Sequence, residues 1–380
     1  MKAPADETFV ELVAFDAAAS YEAAWRDLSE RVAEPNAFAD PEFMIPALAC
    51  FGRAQRLQVM FVWDNSARRR LLGVLNLRLP AVGFGAARIW QSSQAALPAI
   101  ALDRDAAETA LGAAIAWLAR ERPRIVGLFA PTLESGGPTS LALQALAAHQ
   151  NLAIHTFRAR QRAALLTAKG PAEAIDVALG KKRSKEWARQ RRRLADGVAL
   201  AFSTSSDASA IEDFLALEAQ GWKGARGTAL ARDPALALFT RTMLGAFAKD
   251  RRLTIFRLER AGAAIALGLV LRAQNRAFYW KTAYDENFAA FSPGLQLTLD
   301  LSRALQRDPA IALTDSCAIS DHPMIDRLWP ARLQLVDCAI ATRPGRALGL
   351  TLWLKREEVR LRLRAAAKTV INRLRGARRT

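Results

Sequence analysis

Apolar and polar positions repeat in the same order twice along the chain, at a period of about 190 residues. In the first stretch they predict strands at 57–63 (LQVMFVW), 71–79 (LLGVLNLRL) and near 86–90, then a helix over 104–121 and a strand at 125–130. In the second they predict strands at 253–258, 264–272 and 277–283, a helix over 295–306 and a strand at 310–314. A three-strand meander feeding a helix and another strand makes the third strand, the helix and the last strand a βαβ crossover. The expected fold class is α/β (α+β): two tandem domains, each a mixed twisted sheet flanked by helices. The loop entering each crossover helix then lies at the carboxyl edge of its sheet, where a helix N-terminus can receive an anion.

That loop differs between the copies. In the second it reads Phe291-Ser292-Pro293-Gly294-Leu295. Proline suits a helix start, the Ser292 hydroxyl can cap it, and Gly294 lets backbone come close to a ligand. In the first it reads Leu102-Asp103-Arg104-Asp105, whose carboxylates favour the helix dipole but repel a pyrophosphate. A phosphate-bearing cofactor is therefore expected on the second copy.

Length supports two domains, since the chain has 380 residues, half of them apolar. No stretch reaches the 18 or so uncharged apolar residues of a spanning helix, and the acidic first twenty residues do not read as a signal peptide, so a cytoplasmic location is expected. Three scattered cysteines and three scattered histidines predict neither a disulfide framework nor a metal site. The net charge of +17 is concentrated in two places: residues 181–193 hold eight Lys and Arg against one Glu, and residues 346–380 hold eleven against two. Both lack the repeated interleaved aromatics that stack bases, which disfavours nucleic acid as a partner. The tail reads as one basic helix in which Leu352, Val359, Leu363, Val370 and Leu374 form a stripe, with Lys355 and Arg362 on one flank and Arg360, Arg364 and Lys368 on the other. Such a stripe suits an anionic membrane surface at the inner face of the membrane, and equally suits docking on the globule or a partner. The expected division is 1–155, 156–345 and the tail 346–380.

Four segments in sequence, KKRSKEWARQRRRLADG (181–197), FLALEAQGWKGARGTAL (214–230), YWKTAYDENFAAFSPGLQL (279–297) and DSCAISDHPMIDRLWPAR (315–332), resemble the CelD/BioF2-like acyltransferases of the GNAT superfamily, relatives of the FemAB peptidyltransferases. The FADPEF run (38–43) resembles the degenerate first domain of the same proteins. The resemblance implies a tandem GNAT fold that transfers an acyl group from acetyl-CoA or another acyl-CoA directly to an amine, with an envelope or polysaccharide-related small molecule or glycan as an acceptor class. It also implies pyrophosphate on the amides around Ser292, Gly294 and Leu295, with Gln296 beside them, and the pantetheine arm along 277–283. The chain departs from the family's Q/R-x-x-G-x-G/A consensus, and it has Asp321-His322-Pro323-Met324 where many Fem-like relatives carry a lysine.

Candidate catalytic groups follow the strand ends. His322 can accept an amine proton, Asp315 can bind a cationic amine or orient His322, and Tyr284 can protonate a departing thiolate. Lys281 can bind a CoA phosphate or an acidic substrate, and Trp222, Lys223 and Asp285 are candidate substrate contacts. Simple alternation sets Tyr279, Lys281 and Ala283 on one strand face and Trp280, Thr282 and Tyr284 on the other. Cys317 lacks an activating base in the sequence and is not expected to act as a nucleophile. A non-catalytic binding module in polysaccharide production at the membrane is the rival to an enzyme, and the 291–296 loop is the feature that discriminates them.

Overall fold

Where the apolar alternation predicts strands, strands form, and they join into one sheet. The computed structural model describes residues 8–81, 84–167 and 175–377. The first half supplies β1 (Phe9–Ala14), β2 (Leu57–Trp63), β3 (Leu71–Arg78), β4 (Gly85–Ile89), β5 (Ile100–Leu102), β6 (Ile125–Glu134) and β7 (Ile154–Leu166). The second supplies β8 (Leu200–Ser205), β9 (Leu253–Arg260), β10 (Ala263–Ala273), β11 (Arg276–Tyr284), β12 (Leu313–Asp315) and β13 (Ala331–Ala341). Around them pack α1 (Glu22–Ser29), α2 (Pro41–Gln55), α3 (Ala107–Glu121), α4 (Pro138–His149), α5 (Ile175–Ala195), α6 (Ala208–Gln220), α7 (Trp222–Ala225), α8 (Pro234–Lys249), α9 (Pro293–Arg307), α10 (Ile325–Leu328) and α11 (Ala347–Ala377).

The sheet order is β1-β2-β3-β4-β6-β13-β7-β12-β11-β10-β9-β8, with β5 on β3. Two copies of one unit are plain in it: β2-β3-β4-α3-β6 and β9-β10-β11-α9-β12, each closed by a parallel pair, β4 with β6 and β11 with β12. The fold is α/β with tandem halves. At the seam, however, the halves exchange strands. β7, the last strand of the first half, pairs with β12 of the second, while β13 pairs with β6 of the first. The sequence division at 155/156 falls inside β7, and the sheet runs through it without a break.

β7 escapes the hydrophobic pattern because Arg158, Arg160 and Arg162 occupy alternate positions in a central strand. Each is neutralised by a strand neighbour: Arg158 and Arg160 pair with Asp337 on β13, the latter at 2.9 Å, and Arg162 pairs with Asp315 on β12 at 2.6 Å. Buried charge is tolerated there because each ion has a partner. The FADPEF run joins the halves as well. Asp40, just before α2, reaches Arg252 of the second half at 2.5 Å, Phe38 packs edge-on against Phe278, and Phe43 against Phe239. Asp103, expected to serve a helix dipole, is instead fully buried and pairs with Arg31 and with Arg70 at 2.8 Å.

Two basic helices complete the shell. Past a kink at Gly180 (φ 68°), α5 turns its Trp187–Arg191–Leu194 stripe inward, where Leu194 is buried and Arg191 holds Asp300 of α9 at 2.7 Å. α11 lays Leu350 and Trp353 on the first half, with the Trp353 ring 5.6 Å from that of Phe129, and Glu357 meets Arg88 at 2.9 Å. The side chains of Arg364, Lys368, Val370 and Leu374 lie outside the described residues. Gly127 on β6 makes this docking possible, because a Cβ there would stand 2.6 Å from Leu350 Cδ1 and 2.7 Å from the Ile340 carbonyl oxygen. Gly127→Ala is expected to cost about 1–3 kcal/mol of stability, since backbone cannot yield as a side chain can. An unchanged urea midpoint would refute that packing account.

Candidate functional site

β11 is paired on both sides only for its first third. Its parallel ladder with β12 ends at Phe278 opposite Asp315. There the chain leaves the sheet: Cys317 takes a left-handed conformation (φ 53°) and its N–H donates to Asp315 Oδ1 at 2.8 Å. Residues 279–284 therefore have no β12 partner on that edge. On the other edge, the pairing with β10 slips between Leu269 and Val270, so β11 carries a bulge at Trp280. The bulge breaks the alternation expected from sequence. Tyr279 stays on the α9 side, where its hydroxyl meets those of Thr282 (2.5 Å) and Thr298 (3.0 Å), whereas Trp280 and Lys281 both line a cleft on the opposite side.

That cleft, of about 550 Å³, lies between the halves. β11 contributes Trp280 and Lys281, β7 contributes Arg160 and Arg162, and the turn after β12 contributes Cys317. The first half closes it with the loop 91–96, which is tied across the seam: Trp280 Nε1 donates to the Gln94 carbonyl at 2.7 Å and Arg162 Nη1 to the Ala96 carbonyl at 3.1 Å. Among the described residues, three cations and no carboxylate line the cleft. Burial, and then the charge of Lys223, lower the Lys281 ammonium to about 8. Burial and neighbouring Asp315 push the Cys317 thiol well above its ordinary value, so it is held as a thiol.

The residues singled out in the sequence are dispersed around this cleft. Asp315 is 0% exposed and is held by Arg162 at 2.6 Å and Arg276 at 3.7 Å, so it orients β7 rather than a substrate or His322. His322 uses Nδ1 to accept the N–H groups of Met324 and Ile325, both at 3.3 Å, and so caps α10. Tyr284 stands at the end of β11 with its ring against Gly294, where a Cβ would be 3.2 Å away; packing against Tyr284 accounts for that glycine without a ligand. Ser292 is left-handed (φ 53°) and its hydroxyl caps nothing, while its carbonyl accepts from Leu295 and Gln296 N–H at 3.0 and 3.1 Å. Gln296 is buried and donates to the Trp187 carbonyl of α5 at 3.2 Å.

Beside the C-terminal end of β11, Trp222 is 44% exposed and stacks with Arg226, while Lys223 holds buried Glu218 at 2.6 Å. Gly224 allows the α6–α7 turn to close, for a Cβ there would meet the Ala219 carbonyl oxygen at 1.7 Å. Asp285, read as a substrate contact, caps the 286–291 turn by accepting from Asn287 N–H at 2.9 Å. Of the predicted residues only Lys281 faces the cleft, together with Cys317. Sequence reasoning missed Arg160, Arg162 and the 91–96 loop. The available signal was a run of alternate arginines (RARQR, 158–162) with a lone aspartate, Asp337, inside the otherwise apolar run 335–341.

Residues 181–315 match the acetyltransferase (GNAT) domain family. Among solved structures the chain is similar to FemX, at 12% identity over 83% of this chain and 95% of that one, with a TM-score of 0.52. It is likewise similar to a conserved protein of unknown function from Bacteroides thetaiotaomicron VPI-5482 (12% identity, 86% and 98% covered, TM-score 0.53). A third is the C-terminal domain of a putative lysylphosphatidylglycerol synthetase from Agrobacterium fabrum (11%, 88% and 94%, 0.51). At such identities the likeness is one of fold. Comparison with curated protein sequences gives no match.

Proposed function

We propose, because residues 181–315 match the GNAT acetyltransferase domain family, that the protein transfers an acyl group from acetyl-CoA or a related acyl-CoA directly to an amine, in the cleft beside β11. One observation carries this reading: Lys281, on the bulge beside the open edge of β11, has an ammonium lowered to about 8 and faces a cleft of about 550 Å³. An amine poised near the working pH can take a proton from an incoming ammonium group and return it to solvent or to the departing thiolate. The proton therefore rests on Lys281 Nζ while the acceptor nitrogen attacks. Although Arg160 and Arg162 are paired with Asp337 and Asp315, Arg162 Nε is buried without a hydrogen-bond partner, which favours an acceptor that bears an anionic group as well as its amine. A glycan or other envelope-related amine is the acceptor class suggested by the CelD-like resemblance.

The donor, when bound, supplies the activated thioester carbonyl. Backbone groups of 279–284 without a β12 partner fit its pantetheine arm, and the Gly294 N–H at the start of α9 fits a phosphate oxygen. Arg193 of α5, exposed over the Phe291 ring at 5.6 Å, adds a cation at that end. One observation favours a non-catalytic binding module instead: the Ser292, Leu295 and Gln296 N–H groups already donate to the Ala289 and Ser292 carbonyls, which narrows the anion site.

Calorimetric titration with acetyl-CoA separates the two. Saturable binding is expected, weakened about tenfold or more in Arg193→Glu, an exposed change that leaves the fold intact. Failure of every acyl-CoA to bind would sink the enzyme reading and leave the binding module.

A further inference from the structure

α11 has two apolar faces, and only one of them is used by the globule. Leu350, Trp353, Leu354 and Leu361 lie on the side that packs on the first half or lines clefts against it. On the opposite side Leu348, Leu352, Val359 and Leu363 are 72%, 55%, 56% and 66% exposed. At 100° per residue these four fall within about 60° of arc, so they make one continuous strip. Lys355 and Arg362 border it on one flank, Arg356 and Arg360 on the other, and all four are exposed.

The acidic residues of this segment are withdrawn from that face. Glu357 is buried and binds Arg88 at 2.9 Å and Arg360 at 2.5 Å; Glu358 is paired with Arg362 at 2.6 Å. An apolar strip between two rows of cations, rigidly held on a folded domain, is the surface that an anionic lipid headgroup layer complements: the leucines enter the acyl boundary and the cations meet the headgroups. A second copy of the chain is a poor occupant, because like-charged rows would face each other across the contact. No described helix is long and apolar enough to cross a membrane, so the contact lies in the plane of the surface.

We propose that α11 is a membrane-docking helix that seats the first half of the protein on an anionic lipid surface. The test uses the full-length protein and vesicles of phosphatidylcholine, with and without phosphatidylglycerol. Wild type sediments with the anionic vesicles, remains in solution with phosphatidylcholine alone, and is released by salt. Val359→Asp/Leu363→Asp and Lys355→Glu/Arg362→Glu each reduce partitioning by at least about tenfold, with unchanged unfolding midpoints because these side chains are exposed. Three outcomes overturn the proposal: no sedimentation of wild type with anionic vesicles, variants that sediment as well as wild type, or a dimer in sedimentation velocity that the same substitutions dissociate. Since acyl transfer is not read, the result is independent of the proposed chemistry.

Discussion

Replacing Lys281 by methionine is expected to lower kcat/KM for acyl transfer by about 10²–10⁴-fold, the usual worth of a positioned general base. Wild type should gain rate as pH rises through about 8, where Nζ loses its proton, and the variant should not. Lys281→Arg keeps a cation that cannot deprotonate, so it should be as inactive as the methionine variant if proton transfer is the role. Full activity in Lys281→Arg would reduce Lys281 to an anion clamp.

The same residue predicts a stability effect of opposite sign. Lys281 is lowered to about 8 in the folded protein, whereas in the unfolded chain it titrates at about 10.4. Between these values the unfolded chain binds more protons, so stability rises with pH across that window; below about 8 the folded state bears the whole penalty of a desolvated ammonium. Lys281→Met removes the penalty and should raise the melting temperature at neutral pH while it lowers activity. A lower melting temperature would mean that packing around the lysine stem outweighs its charge.

Arg162→Met is the second large effect. It leaves Asp315, 0% exposed, with the Cys317 N–H and the more distant Arg276 guanidinium at 3.7 Å, and removing one partner of a buried pair typically costs about 3–5 kcal/mol. Urea denaturation measures this directly. The double variant Arg162→Met/Asp315→Leu should recover most of the loss, because desolvation of both ions then disappears with their attraction. A single variant within about 1 kcal/mol of wild type would show that the seam does not depend on this pair.

Much of the fold was readable because its signal is local. β2, β3, β9 and β10 appear within one or two residues of their predicted limits, since each has one stretch of apolar residues that only a strand can bury well. The start of α9 lies at Pro293, two residues before the expected boundary, and that of β12 at Leu313, three residues after it, where caps and neighbouring turns decide. The candidate site was less accessible. Its cations on β7 are acceptable only because Asp315 and Asp337 arrive from strands more than 150 residues away in the chain, and the Trp280 bulge exists only in the pairing with β10.

The sequence by itself determined the repeated unit, the crossover helix in each copy, and the two basic helices, because hydrophobic period and charge density are properties of neighbouring residues. Tertiary structure alone decided the exchange of β7 and β13, the turning of Lys281 into the cleft, the use of Asp315 as a strut, and which face of α11 stays bare. Each of these depends on which distant partner a side chain meets, and burial of a charge or of a leucine stripe is favourable or costly only once that partner is in place.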